Sequence, residues 1–461
     1  MTQTRIFSAP GKAFLAGGYL VLDASYEAFV VALSSRMHAA TSVQKANDTT
    51  TITVKSPQFK EGEWSFNIDL TQFKQNKASL KEKDGRRNPF VESTISTILS
   101  YLQPIENYTI TITIFSDSGY HSQVNSVPKS STNKLRTFQY HSAPITEVSK
   151  TGLGSSAGLV TSLTIALLSC YDSKLDIKDE PTLLKVHNLA QVAHCLAQGK
   201  VGSGFDVATA TFGSIVYRRF NPSLINDLSA IEDNTKFSEA LVKLVDETNW
   251  KITHNKCCLP SGIKLLMGDI VGGSETPKLV SKVLAWRKAE PEKSLELWTN
   301  LNNANMSLVS VLQNLQALSK ENPERYQLLL KYLNNNSAIE IDQAASEKKL
   351  EFSEVEDVIV AIRTIRKYLK QMTVATGAEI EPDEQTELLD ATESLTGCLG
   401  GVVPGAGGYD AICILVGEES VKKIAESTKG QEKFKSVKWL DLEEQAEGIV
   451  EEDPKDFEGL I

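Results

Sequence analysis

The chain has 461 residues, 41% of them hydrophobic and 23% charged, which allows two or three domains with sizeable cores. A formal net charge of −10 argues against general attraction to nucleic acid, although a local basic pocket could still hold an anionic metabolite. Cys170, Cys195, Cys257, Cys258, Cys398 and Cys413 form no C-x-x-C pair, so neither a zinc site nor a disulfide framework is expected.

Reduced thiols point to a cytoplasmic protein. The opening "MTQTRIFSAPGK" carries no export or transit pattern, and no apolar run has membrane-spanning length, so no membrane partner is expected. Composition is compatible with a monomer and does not set the oligomeric state.

Short apolar runs punctuated by Pro and Gly open the chain in "RIFSAPGKAFLAGGYLVLD". Pro10 and Gly11 predict a tight turn between β segments, and "AGGY", ending at Tyr19, predicts a second. "AFVVALSSRMHAATSVQ" reads as a strand or strand pair, and "TTTITVKS" and "YTITITIF" alternate with period two. The first part is therefore β-rich. The polar, Ser-rich stretch 116–149 reads as a mobile loop or insertion.

"SAGLVTSLTIALLSCY" is apolar on almost every side and predicts a buried helix. An amphipathic helix follows in "PTLLKVHNLAQVAHCLAQ", with Pro181 suited to its first turn. His187 and His194 are seven apart on it and read as surface or packing residues rather than ligands. "GKVGSGFDVATATFGSIVYRRF" predicts a Gly-rich turn, a small-residue helix, and a strand ending in Arg218 and Arg219.

Composition shifts within 221–259, and the division expected is an N-terminal domain of residues 1–225 and a C-terminal domain of 226–461. The second part predicts a strand at "IKLLMGDIV", helices over roughly 277–318 and 353–372, and a Gly-rich turn feeding a strand in "GAGGYDAICILVG". The acidic tail, 441–458, reads as a solvated terminus. No repeat of 20–50 residues is visible.

Five stretches can carry chemistry. In "TGLGSSAG", Gly152 and Gly154 allow positive φ and close backbone approach, and Ser155 and Ser156 open a long helix. Free N–H groups and the positive end of the helix dipole then converge on one spot, which is an anion site. The alternative is a glycine turn with a serine N-cap. A dinucleotide site would need a strand after the helix, and "DSKLDIKDEP" supplies none.

Lys12 stands beside Gly-rich turns and suits neutralisation of a phosphate, or simple solvation. Asp206 follows a G-S-G turn and is either a helix cap or a carboxylate that orients a cation or an attacking group. "GDIVGGSETPKLV" presents Ser274 and Thr276 before a helix, a second candidate phosphate site. In "PGAGGYDAICIL", Gly405, Gly407 and Gly408 permit close packing against a ligand, or form a plain turn. No H-E-x-x-H or P-loop pattern occurs, and no nucleophile elbow supports a hydrolase triad.

"APGKAFLAGGYLVLD", "TGLGSSAG" and "PGAGGYDA", in this order, resemble the three signature motifs of the kinase superfamily that includes galactokinase, homoserine kinase, mevalonate kinase and phosphomevalonate kinase. "KTGLGSSAG", "AQGKVGSGFDVATATFGSIVYRRF" and "GDIVGGSETPKLVSKVLAW" bring the chain nearest to the fungal-type phosphomevalonate kinase family. The resemblance implies an α+β fold in two parts. The N-terminal part would be like domain 2 of ribosomal protein S5, and the C-terminal part ferredoxin-like.

It further implies transfer of the γ-phosphoryl of MgATP to 5-phosphomevalonate in the mevalonate pathway, with ATP and Mg²⁺ as cofactors and only small-molecule partners. The phosphate loop maps onto Gly152, Leu153, Gly154, Ser155, Ser156, Ala157 and Gly158, with Ser156 as a magnesium ligand. The active-site lysine maps onto Lys12 and the active-site aspartate onto Asp206. Gly405, Ala406, Gly407, Gly408 and Asp410 form the third motif.

One departure stands out. Mevalonate kinases carry a glutamate metal ligand upstream of the aspartate, and "VAHCLAQGKVGSGFD" has no acid before Asp206. Water or Asp206 would complete the metal shell. Charge and position make Lys12, Tyr19, Lys200, Ser203, Arg218, Ser274 and Thr276 the candidate substrate-binding residues.

Overall fold

A computed structural model describes residues 4–270 and 276–461. The β-rich first part builds strands β1 (Ile6–Ala16), β2 (Ala28–Lys45), β3 (Thr50–Lys55), β4 (Glu63–Ile68) and β5 (Tyr108–Ser116). Alternation shows in β3, where Thr50, Ile52 and Val54 are buried and their neighbours half-buried. β1 and β2 are buried along most of their length, as central strands covered on both faces should be.

Pro10 and Gly11 do not turn the chain. They lie inside β1, at a bulge where the pairing with β2 shifts register. A proline and a glycine are tolerated in a strand at such a bulge. The segment 28–45 is one continuous strand rather than two.

The stretch 116–149, expected as a mobile loop, is built. It holds the hairpin β6 (Ser126–Ser130) and β7 (Thr137–His141). Phe138 of β7 is fully buried and stacks on Phe115 at 4.8 Å. One aromatic anchor is enough to dock a polar ribbon whose other residues stay wet.

Helices α1 (Leu70–Gln75), α2 (Pro89–Leu102), α3 (Ser155–Tyr171), α4 (Glu180–Gln198) and α5 (Phe205–Phe212) follow between the strands. The buried helix expected from its apolar sequence is α3, which packs on β1, β2, α2 and α4. Asp179 caps α4 by accepting from the Thr182 amide at 3.1 Å, and Gly199 ends it at φ 65°. Such a cap contributes about 1 kcal/mol.

Strands β8 (Ile215–Arg218) and β9 (Thr253–Lys256) extend the first sheet, and α6 (Ser223–Ser229) and α7 (Asn234–Asp246) lie between them in sequence. Both pack on the first part, α6 against α4 and α7 against α2 and α4. The first sheet thus runs through Lys256, beyond the expected division at 225/226.

The second sheet holds β10 (Ile263–Ile270), β11 (Cys398–Val402), β12 (Ala411–Gly417) and β13 (Val437–Leu440) in the order β11-β12-β10-β13, all antiparallel. Its helices are α8 (Thr276–Ala289), α9 (Pro291–Glu321), α10 (Pro323–Asn335), α11 (Ala338–Ser346), α12 (Ser353–Thr376), α13 (Asp383–Thr392) and α14 (Val421–Ser427). The segment 277–318 is two helices, broken before Pro291.

The acidic tail is not a solvated terminus. It runs back along β2, with Ser34 N donating to Glu443 O and Gln445 N to Ala32 O, and adds β14 (Val450–Glu452) beside β1. Ile449 and Phe457 are buried. The first sheet then reads β14-β1-β2-β5-β3-β4, with β8 and β9 branching from β2. Only the β3–β5 pair in it is parallel.

One apolar core spans both sheets. At the join, Tyr26 meets Trp298 of α9 edge to face at 5.8 Å. Arg287 of α8 lies over the same Trp298 ring at 4.0 Å and pairs with Asp23. These contacts fix the two parts around a common cleft.

Candidate active site

The phosphate-loop sequence forms the N-terminus of α3. Its cap is Gly154, at φ 82°, and no side chain caps the helix. The serine N-cap reading is therefore replaced by a glycine one. First-turn N–H groups at Ser155, Ser156 and Ala157 have no carbonyl one turn back, so they are left for an anion.

Two neighbours mould the loop. A Cβ on Gly158 would stand 3.1 Å from the Tyr120 hydroxyl and 3.3 Å from Met37 Cβ, and one on Gly11 would stand 3.2 Å from the same hydroxyl. Tyr120 is buried between β1 and α3, and Thr151 N donates to its carbonyl at 3.2 Å. The segment 116–149, expected as a mobile loop or insertion, thus supplies part of the wall behind the loop.

Lys12 grips the loop from β1. Its amide donates to Leu153 O at 3.0 Å and its ammonium to Gly152 O at 2.8 Å. A Cβ on Gly154 would stand 3.3 Å from Lys12 Cγ and 3.9 Å from Asp206 Cβ, so the three residues meet. Burial holds the Lys12 pKa below its ordinary value, against the opposing pull of the Asp206 carboxylate.

Asp206 lies in the first turn of α5, whose cap is Gly204 at φ 83°. Only glycine fits there, since a Cβ would come within 2.7 Å of Gln191 Oε1 and 2.8 Å of Phe220 Cε1.

A cleft of about 510 Å³ opens beside Asp206. Tyr19, Lys200, Ser203, Asp206, Thr276, Gly405 and Ala406 all line it. The Tyr19 hydroxyl is committed to Ala406 O at 2.5 Å, so it serves as a strut between the first and third motifs. Gly18 packs on the same motif, where a Cβ would stand 2.7 Å from Gly405 O.

Other expected residues lie elsewhere. Arg218 is exposed and points away from the cleft, because strand residues alternate and Arg219 takes the inward side. The Arg219 guanidinium binds Leu22 O at 3.0 Å and Gly202 O at 2.8 Å, which holds the cleft wall. Gly407 and Gly408 pack on Ile380, and Asp410 is exposed at the start of β12. Ser274 lies outside the described residues.

A second cavity, of about 240 Å³, adjoins Ser155 and Ser156. It is lined largely by apolar and ring side chains, among them Phe59, Trp64, Phe90, His121 and Leu159. Burial pushes the His121 pKa down to about 4, so this pocket adds no cation from that ring at neutral pH.

The residue missed from sequence is His194. It is buried, and its Nε2 lies 3.1 Å from Ser156 Oγ. Spacing put it on a helix face, but nothing local revealed a partner 38 residues away. Among the described residues no group of three or more His, Cys, Asp or Glu side chains could hold a metal ion. Among them, too, no helix is long and apolar enough to cross a membrane.

Comparison with known proteins fits this geometry. Residues 140–214 match the GHMP kinases N terminal domain and residues 358–430 match GHMP kinases C terminal. The phosphomevalonate kinase of Candida albicans is 48% identical over 466 residues, covering 99% of this chain and 100% of the relative. Phosphomevalonate kinase ERG8 of Gibberella zeae is 36% identical and covers 98% of each. Streptococcus pneumoniae phosphomevalonate kinase, solved in complex with phosphomevalonate and AMPPNP, shares the fold. Its TM-score is 0.57 at 18% identity, over 96% of this chain and 100% of that one. With the loop at Gly154, Lys12 and Asp206 meeting at one place, and full-length relatives at this identity, the chain belongs to the phosphomevalonate kinase family of the GHMP kinases.

Proposed function

We propose that this chain transfers the γ-phosphoryl group of ATP to 5-phosphomevalonate, giving 5-diphosphomevalonate and ADP. The observation that carries the reading is the meeting of Lys12, Gly154 and Asp206, with a cavity lined by Ser155 and Ser156 and a larger cleft lined by Asp206 beside them. The smaller, ring-lined pocket takes the adenine, the loop takes the ATP phosphates, and the larger cleft takes the acceptor.

A phosphate monoester has a second pKa of about 6 and is mostly dianionic at pH 7. It needs little general-base help. The obstacle is repulsion between two anions, so positioning and charge neutralisation dominate. Lys12 leaves the Gly152 carbonyl to bridge acceptor and γ-phosphate oxygens. Asp206 keeps the Lys12 ammonium charged and oriented. Lys200, Ser203 and Thr276 hold the acceptor's own anionic groups.

Mg²⁺ would enter with the nucleotide. A hydroxyl at Ser156 and a carboxylate at Asp206 are hard oxygen donors, which suits an ion that keeps waters and phosphate oxygens in its shell. When bound, it neutralises charge on the ATP phosphates. The residues themselves fix where that charge sits.

A coupled ADP-release assay tests the reading. Turnover is expected with phosphomevalonate and only background with mevalonate. Equal or greater turnover with mevalonate would overturn it.

A further inference from the structure

Serines on α3 normally return their proton to the helix. Ser162 donates to Leu159 O at 3.1 Å and Ser169 to Ala166 O at 2.7 Å, three residues back in each case. Ser156 does not. The carbonyls three and four residues before it, Leu153 O and Gly152 O, both accept from Lys12, at 3.0 and 2.8 Å. Its hydroxyl instead faces His194 Nε2 at 3.1 Å.

The same ring nitrogen also faces Gln198 Nε2, an amide donor, at 3.3 Å. An amide nitrogen can only donate, so beside Gln198 this ring nitrogen is the acceptor and is open to the Ser156 proton. The imidazole is held flat against Phe90, with ring centroids 5.6 Å apart and planes 29° from parallel. Phe90 and Ser156 line the smaller cavity, and His194 lines the larger, so the ring stands in the wall between them.

We propose that His194 is a positioning residue that takes the Ser156 hydroxyl proton in a hydrogen bond and so turns the Ser156 lone pairs toward the nucleotide's metal ion. A hydroxyl has one proton and two lone pairs. It ligates a cation well only when the proton points elsewhere, and His194 Nε2 stands at 3.1 Å to receive it. Imidazole nitrogen is a poor ligand for the hard Mg²⁺ ion, so His194 acts one step behind the metal, through the serine.

The inference rests on the reading of Ser156 as a ligand of nucleotide-bound Mg²⁺. The test measures calorimetric binding of a non-hydrolysable ATP analogue, with Mg²⁺ and with EDTA, to the full-length chain. Wild type, H194A, H194Q, S156A and the H194A/S156A double variant are compared. In H194A, affinity with Mg²⁺ should fall about 10-fold, the usual scale for a group behind a metal ligand. Affinity in EDTA should stay within about twofold of wild type, at the scale of an unperturbed site. The double variant should be no worse than S156A. H194Q, whose Oε1 accepts the same hydroxyl, should recover part of the loss and carries the test if H194A does not fold.

If S156A loses the magnesium-dependent gain and neither His194 variant does, this inference falls and the reading of Ser156 stands. If S156A keeps the gain, both fall. Equal loss with and without Mg²⁺ in the His194 variants would make His194 merely structural and would also overturn the proposal.

Discussion

The Lys12 ammonium donates to the Gly152 carbonyl at 2.8 Å, so the charge assigned to the proposed reaction is parked on the loop proposed to hold the phosphates. A short swing moves it from a neutral acceptor to anionic oxygens, where a charge-assisted bond is stronger. Lys12→Met should lower kcat by about 10²-fold or more, the scale for loss of one preorganised charge-stabilising group. Steady-state kinetics with both substrates varied checks this. Near-normal kcat would remove Lys12 from the proposed chemistry.

Tyr19 ties the first motif to the third through its 2.5 Å bond to Ala406 O, in a buried position. Tyr19→Phe leaves that carbonyl without this donor. A stability loss of about 1 kcal/mol is expected from one unmade hydrogen bond. Because the cleft wall loosens while Lys12 and Asp206 stay in place, KM for the acceptor should rise more than kcat falls. Urea melts and initial-rate kinetics on the same preparation separate the two effects. A change confined to kcat would contradict the strut role.

Gly199 and Gly204 test local strain against packing. Both have positive φ, 65° and 83°. A Cβ on Gly199 meets nothing within 4 Å, whereas one on Gly204 meets Gln191, Phe220 and Tyr217 within 3 Å. Gly199→Ala should cost about 1 kcal/mol, from backbone strain alone. Gly204→Ala should cost more than about 3 kcal/mol and displace Asp206, because core overlap adds to the strain. Equal Tm shifts for the two variants would deny the packing account.

Much of the site was legible because its signals are local. Glycines before Ser155 and Ser156, followed by an apolar run, dictate a helix N-terminus with free N–H groups wherever the helix docks. Period-two alternation likewise marked β3 and β5. What sequence misread depends on partners far along the chain. Pro10 and Gly11 have turn chemistry, yet pairing of β1 with β2 on both sides of them keeps the strand going. Arg218 and Arg219 are indistinguishable until β8 chooses which faces inward. His194 acquires meaning only when Ser156 arrives beside it. The acidic tail misled most, because an acid in sequence says nothing about whether cations await it.

They await Glu452. It accepts from Ser8 Oγ at 2.6 Å, pairs with Arg136, and lies 3.3 Å from His38 Nδ1, while Asp117 lies 3.1 Å from His38 Nε2. Burial opposes charge on His38, but Asp117 and Glu452 outweigh it and raise its pKa above the ordinary 6.5. Burial also opposes ionisation of Glu452, but His38, Ser8 and Arg136 outweigh it and lower its pKa to about 2. The signs then give a window. The His38 contribution is full below pH 6.5 and is lost as pH rises through its raised folded value. The Glu452 contribution is full above its ordinary 4.5 and is lost as pH falls through about 2. Both are present between those ordinary values, so the docking of β14 on β1 should be firmest there. Glu452→Gln should therefore destabilise the protein by about 3 kcal/mol in that window, the scale for breaking a buried pair. The difference from wild type should shrink toward acid, where Glu452 is itself neutral. Urea melts of both proteins from acid to neutral pH check this, and a penalty that does not change with pH would show that the cluster acts by shape rather than by charge.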